Sequence, residues 1–166
     1  GGTERLEFHW SHTGISATAP SGQVPTGFSA HNVDLHKYNS LYWDKRAFAA
    51  GAGDVSKATI WRWTISPPTF GTHPSSTAIP SSTKRPLENR VWYLYPGQTP
   101  GDMTVGTYRQ PSKTARVLDD ATSQIWEATY NSVGNITSQT DPLGRETTYT
   151  YATGGIDLLE VRQTTG

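Results

Sequence analysis

An all-β fold of antiparallel strands and hairpins is predicted for this chain on three observations. Apolar and polar residues alternate in about eight short runs bounded by Gly, Pro, Asn and Asp. No window of about a dozen residues gathers Ala, Leu, Glu and Lys with apolar positions three and four apart, as an amphipathic helix requires. Sixteen Gly and eleven Pro among 166 residues suit turns and disfavour long helices.

The elements follow in chain order. Glu4 to Trp10 sets Leu6, Phe8 and Trp10 against polar neighbours, the pattern of a half-buried strand. Ser11 to Asn32 is rich in Ser, Thr, Gly and Pro and reads as a long loop. Asp44 to Ala52 is the one candidate helix, short and rich in Ala. Lys57 to Ile65 alternates again, with Ala58, Ile60 and Trp63 assigned to one face and Trp61 to the other. Ser66 to Pro86 holds five Pro among Ser and Thr, and because Pro cannot donate to a ladder it reads as a loop or linker.

Beyond it the rhythm is regular. Asn89 to Tyr95 sets Val91, Tyr93 and Tyr95 against Trp92 and Leu94. Thr114 to Leu118 and Gln124 to Tyr130 are joined by a turn at Asp119-Asp120-Ala121-Thr122. Asn135 to Thr140, Thr147 to Tyr151 and Leu158 to Gln163 complete the strands. The chain divides accordingly into an irregular aromatic-rich β region at 1–65, a Pro/Ser/Thr-rich loop or linker at 66–86, and a hairpin region at 87–166. It begins Gly1-Gly2-Thr3 and stops directly after a strand-like run, so it reads as a piece of a longer polypeptide.

Composition excludes several functions. Basic and acidic residues balance at 14 each, which argues against nucleic acid or an acidic membrane as the main partner. Cys is absent, which removes disulfides, thiolate catalysis and Cys-ligated zinc. No run of about 18 apolar residues could span a membrane as a helix. Aromatics at 11% supply the apolar surface that a disordered chain would lack.

The last 40 or so residues repeat. Tyr130-Asn131-Ser132-Val133-Gly134 is echoed by Tyr151-Ala152-Thr153-Gly154-Gly155, and Asp141-Pro142-Leu143-Gly144 between them is a turn in which Pro presets φ. Thr147, Tyr149 and Tyr151 then line one strand face, with Thr148 and Thr150 opposite. These residues resemble the RHS/YD-repeat family, whose pattern runs Tyr-Asp, two variable residues, Gly, an alternating strand, then Asp-Pro-x-Gly-Arg-x-Thr-x-Tyr-x-Tyr. Asp141, Pro142, Gly144, Arg145, Thr147, Tyr149 and Tyr151 match it, and Tyr130, Gly134, Asn135 and Gly155 match the flanking units. The Asp after Tyr is replaced by Asn131 in one unit and Ala152 in the other, and the stretch after Gly155 carries an extra residue. The match is clearest over 113–166, and weaker at Tyr42-Trp43-Asp44-Lys45 and at Pro86 to Tyr93.

The resemblance implies a strip of antiparallel sheet that spirals into a shell in large secreted or cell-surface bacterial proteins. It implies a non-enzymatic structural segment of shell wall or extracellular assembly, whose partners are neighbouring repeats of the same chain or other copies of itself. Toxin-bearing members cleave themselves with a second Asp-Pro-x-Gly element; this sequence has only that at 141–144, so self-cleavage is not expected.

Candidate chemistry is sparse, and no catalytic, metal or cofactor site is assigned. His9 with His12, and His31 with His36, lack a one-sided ligand arrangement and read as surface or loop histidines. Asp119 and Asp120 are adjacent and point apart, which suits a turn better than paired catalytic carboxylates. No nucleophile elbow, phosphate loop or calcium loop occurs. Trp61, Trp63, Trp92, Tyr93 and Trp126 remain as candidate contacts to a glycan or partner, against the plainer reading that they fill sheet faces. A carbohydrate-binding or adhesin module is thus the alternative to the structural segment.

Overall fold

A computed structural model describes residues 2–9, 23–51, 53–67 and 74–164. Ten strands form one antiparallel sheet in which each pairs with the next in the chain. They are β1 (Arg5–His9), β2 (Asn39–Trp43), β3 (Thr59–Ile65), β4 (Ser76–Lys84), β5 (Val91–Leu94), β6 (Lys113–Val117), β7 (Ser123–Tyr130), β8 (Ile136–Thr140), β9 (Glu146–Tyr151) and β10 (Leu158–Gln163). A short helix, α1 (Lys45–Ala50), follows β2, capped by the Asp44 carboxylate accepting from the Ala47 amide at 2.7 Å.

The cross-strand register assigns the two faces of β2 to β7. Asn39, Arg62, Ser82, Trp92, Ala115 and Ile125 stand in one row across β2 to β7, and the adjacent row runs through Leu41, Ile60 and Lys84. This face is covered. Phe48 and Val55 pack on Leu41, Trp43 and Ile60, while Phe28 and Leu35 pack on Trp92 and Ala115. The irregular segment 23–38 is therefore a lid on the sheet as much as a connection. Its clamp is Arg62, whose guanidinium donates to the carbonyls of His31 at 2.6 Å and Val33 at 2.7 Å.

Three sequence expectations are corrected. First, Ser76–Lys84 is a strand, not loop or linker. Pro80 is tolerated because β4 is irregular against β3 there, and β4 pairs with β5 only at Ser82 and Thr83. The Tyr95 hydroxyl also donates to the Pro80 carbonyl at 2.7 Å. Second, Trp63 shares a face with Trp61, while Arg62 and Thr64 join Ile60 on the covered side. A charged residue took the position that alternation reserves for an apolar one. Third, Asn39–Trp43 is a strand that the sequence reading passed over. Residues 11–22 of the expected long loop, His12 and Trp10 lie outside the described residues.

Candidate functional site

The four turns that join β6 to β10 are built alike. In each, the amide of residue x donates to a carbonyl further along, and the amide three residues on donates back to the carbonyl of x. Leu118 and Ala121, Asn131 and Gly134, and Asp141 and Gly144 make this pair, with the x amide bonding Thr122, Asn135 and Arg145 respectively. Ala152 and Gly155 repeat it with the extra residue inserted, so that the Ala152 amide reaches the Asp157 carbonyl. The fourth position has positive φ every time: 65° at Ala121, 90° at Gly134, 80° at Gly144 and 71° at Gly155. This is a three-residue hairpin loop closed by a left-handed residue.

In two of the four turns the side chain at position x braces the loop. Asp141 accepts from the Leu143 and Arg145 amides at 2.9 and 3.0 Å, and from Arg145 Nε at 2.6 Å. Asn131 accepts equivalently from the Val133 and Asn135 amides at 3.2 and 2.9 Å. Its amide nitrogen also reaches the Gly155 carbonyl at 2.8 Å, alongside Asn135 Nδ2 at 2.9 Å. Gln110 makes the same kind of reach to the Gly134 carbonyl at 3.4 Å. Turns on one edge of the sheet are thereby bonded to one another across each intervening hairpin. The Arg145 side-chain bond, with the backbone amides, holds the Asp141 carboxyl below its ordinary range. Thr122 does the same for Asp120.

The second face of the sheet is open. Trp61, Tyr93, Trp126, Tyr149 and Tyr151 stand on it, all half-buried, and Trp63 joins them with its indole N–H bonded to Ser40 Oγ at 2.8 Å. Trp92 does not. It is 1% exposed on the covered face, its indole bonded to the Gln23 carbonyl, so it is committed to the core rather than to any contact.

On β7 the small Ala128 separates Trp126 from Tyr130 on this open face. Ala128, Gln139, Thr147 and Gln163 are directly paired across β7 to β10. Together they line a groove of about 510 Å³ with aromatic walls, amide and hydroxyl groups along it, and the charged Glu127, Asp141 and Arg145 also among its lining. Both walls are fixed. Tyr130 donates to the Pro111 carbonyl at 2.9 Å, and Arg116, which is not part of the groove, lies 5.6 Å from the Trp126 ring centre. Sequence reasoning singled out Trp126 and Tyr130 for separate reasons and missed the groove. Its signal was Ala128, a small residue alternating with two aromatics.

A one-sheet meander whose turns recur in this way is a structural repeat protein, its units stabilised by their neighbours. Residues 130–155 match the family model described as RHS Repeat, so that stretch of the chain is similar to an RHS repeat unit. No curated protein matched the chain. The matched span opens at Tyr130 and closes at Gly155, taking in both turns of the Asn131–Gly155 link. Among the described residues no helix is long and apolar enough to cross a membrane.

Proposed function

We propose that this chain is a wall segment of a secreted or cell-surface bacterial assembly, extended by strand pairing at its free edge. The observation that carries this reading is β10. It pairs with β9 on one side only, and all six of its residues are exposed, including Leu158, Leu159 and Val161. An apolar edge strand is a template for another strand unless it is blunted; this one has no Lys or Pro, and its two charges, Glu160 and Arg162, pair with each other at 3.2 Å beside a register irregularity at Leu158–Glu160. Its natural partner is a further repeat of the same chain or another copy of this one. The test is sedimentation velocity across a concentration series, comparing the chain with Leu159→Lys and Val161→Lys. The reading predicts association that the two lysines suppress; association unchanged by them would count against β10.

A second reading is supported by the groove between Trp126 and Tyr130. Aromatic faces beside amide, hydroxyl and charged groups (Glu127, Asp141 and Arg145 also line the groove) suit a saccharide, whose rings stack and whose hydroxyls hydrogen-bond. A glycan array tests it, with Trp126→Ala expected to remove the signal. A signal that survives Trp126→Ala would place any sugar contact elsewhere.

A further inference from the structure

We propose that the Nε–Nη2 edge of Arg90 is a binding site for a small oxyanion, such as phosphate, sulfate or a carboxylate, held in the field of Arg62 and Lys84. The three cations sit close together on the covered face. Arg62 lies directly opposite Ser82, and Arg90 Nη1 donates to Ser82 Oγ at 2.9 Å. Lys84 is two residues along the same strand and on the same face as Ser82.

Burial makes this cluster unusual. Arg62 is 0% exposed and Arg90 6%, and no ion pair joins either to a carboxylate among the described residues. Asp34 is near enough to act on Arg62, but its carboxylate is bonded to Lys37 at 3.0 Å and is half exposed. Buried charges are ordinarily paired, because the desolvation cost of an unpaired one is large. Burial pulls both guanidiniums down to about 10, and Arg90 adds to the effect on Arg62.

The two arginines differ in which donors lack a hydrogen bond. Arg62 spends both terminal nitrogens on carbonyls of the 31–34 segment, with Met103 Sδ also 2.9 Å from Nη2. Its unpartnered Nε belongs to a residue directly opposite Asn39, whose Oδ1 is also unpartnered, so one water could satisfy both. The Arg90 guanidinium lies 5.5 Å from the Trp92 ring centre, and one edge of it is left without a hydrogen-bond partner. Its Nε is buried without a partner, and Nη2 makes no hydrogen bond. That edge presents two parallel N–H donors, the geometry that receives two oxygens of one oxyanion. Lys84, partly exposed and bonded to the Arg85 carbonyl, supplies a third charge near it.

The experiment is thermal unfolding of the full chain titrated with inorganic phosphate at constant ionic strength, with sodium chloride as reference. The expected result is a saturating rise in Tm with phosphate. Lys84→Gln should weaken the apparent affinity about fivefold, as loss of one partly screened charge contact would. Arg90→Gln should abolish the saturating component; should that variant not fold, the Lys84→Gln comparison decides alone. A rise that never saturates and is equal in the parent and Lys84→Gln reflects exclusion of phosphate from the whole surface, and would overturn the site. No rise beyond chloride would overturn it too.

Discussion

The side-chain amide of Asn131 donates to the carbonyl of Gly155, 2.8 Å away, across a complete hairpin. Asn occupies a position where the repeat pattern has Asp, and the geometry supplies the reason. One end of the amide braces its own turn by accepting backbone N–H bonds, as a carboxylate would. The other end donates to the next turn, which a carboxylate cannot do. The departure from the pattern thus links one repeat to the next.

Asn131→Asp should therefore destabilise the sheet although it restores the family residue. The acceptor bonds to Val133 and Asn135 survive, while the donor to Gly155 is replaced by an oxygen facing an oxygen. Asn135 Nδ2 still reaches that carbonyl, which limits the loss to about 1–2 kcal/mol. Chemical denaturation of the two forms measures it. Equal stability would show that the link contributes nothing.

The four related turns make a second prediction. Ala121 holds a left-handed φ that Gly holds in the other three, and a side chain is strained there. Ala121→Gly should stabilise the chain by about 1 kcal/mol, a rise of roughly 2–4 °C in Tm for a chain of this size. Gly144→Ala should do the reverse by a similar amount, because a Cβ there meets nothing within 4 Å and the cost is conformational alone. Gly155→Ala should cost more, since its Cβ would sit 3.1 Å from Asn131 Nδ2 and disturb the link. Calorimetry of the three variants would show whether that order holds.

Trp92 and Trp126 should part company on truncation. Trp92→Ala removes a fully buried side chain between two layers and should cost about 3–5 kcal/mol. Trp126→Ala acts on the open face and should cost much less, leaving a folded chain for the glycan test. Comparable losses in the two variants would mean that the open face is itself covered.

Acid should loosen the Asp141 turn late. Its carboxyl is depressed in the folded chain, chiefly by the Arg145 side-chain bond. A depressed folded pKa gives stability that is present above the unfolded value, near about 4, and is lost as pH falls through the folded one. An NMR titration of the Asp141 side-chain carbon should find its midpoint below that of an ordinary Asp, and Arg145→Gln should bring it back up. A midpoint at the ordinary value in the parent would break the account of this turn.

How much was legible follows from how local each signal is. The strands from Asn89 onward, the turn at 119–122 and the Asp44-led helix rest on alternation and turn chemistry within a few residues, and the structure places elements there. The row through Arg62 was not legible, because a buried arginine satisfied by carbonyls of residues 31–34 looks in sequence like a surface position. The strand at 76–84 hid behind Pro80, whose compatibility depends on where the neighbouring strands stop. The groove depends on the pairing of Ala128 with Gln139, Thr147 and Gln163, which no single segment reveals.

The central claim is that the free edge of β10 receives another strand. Hydrogen exchange on residues 158–163, followed as the chain is concentrated, tests it most directly. The account predicts that these amides gain protection as association proceeds, and that Leu159→Lys with Val161→Lys prevents the gain. A monomer at every concentration, with these amides exchanging freely throughout, would contradict it.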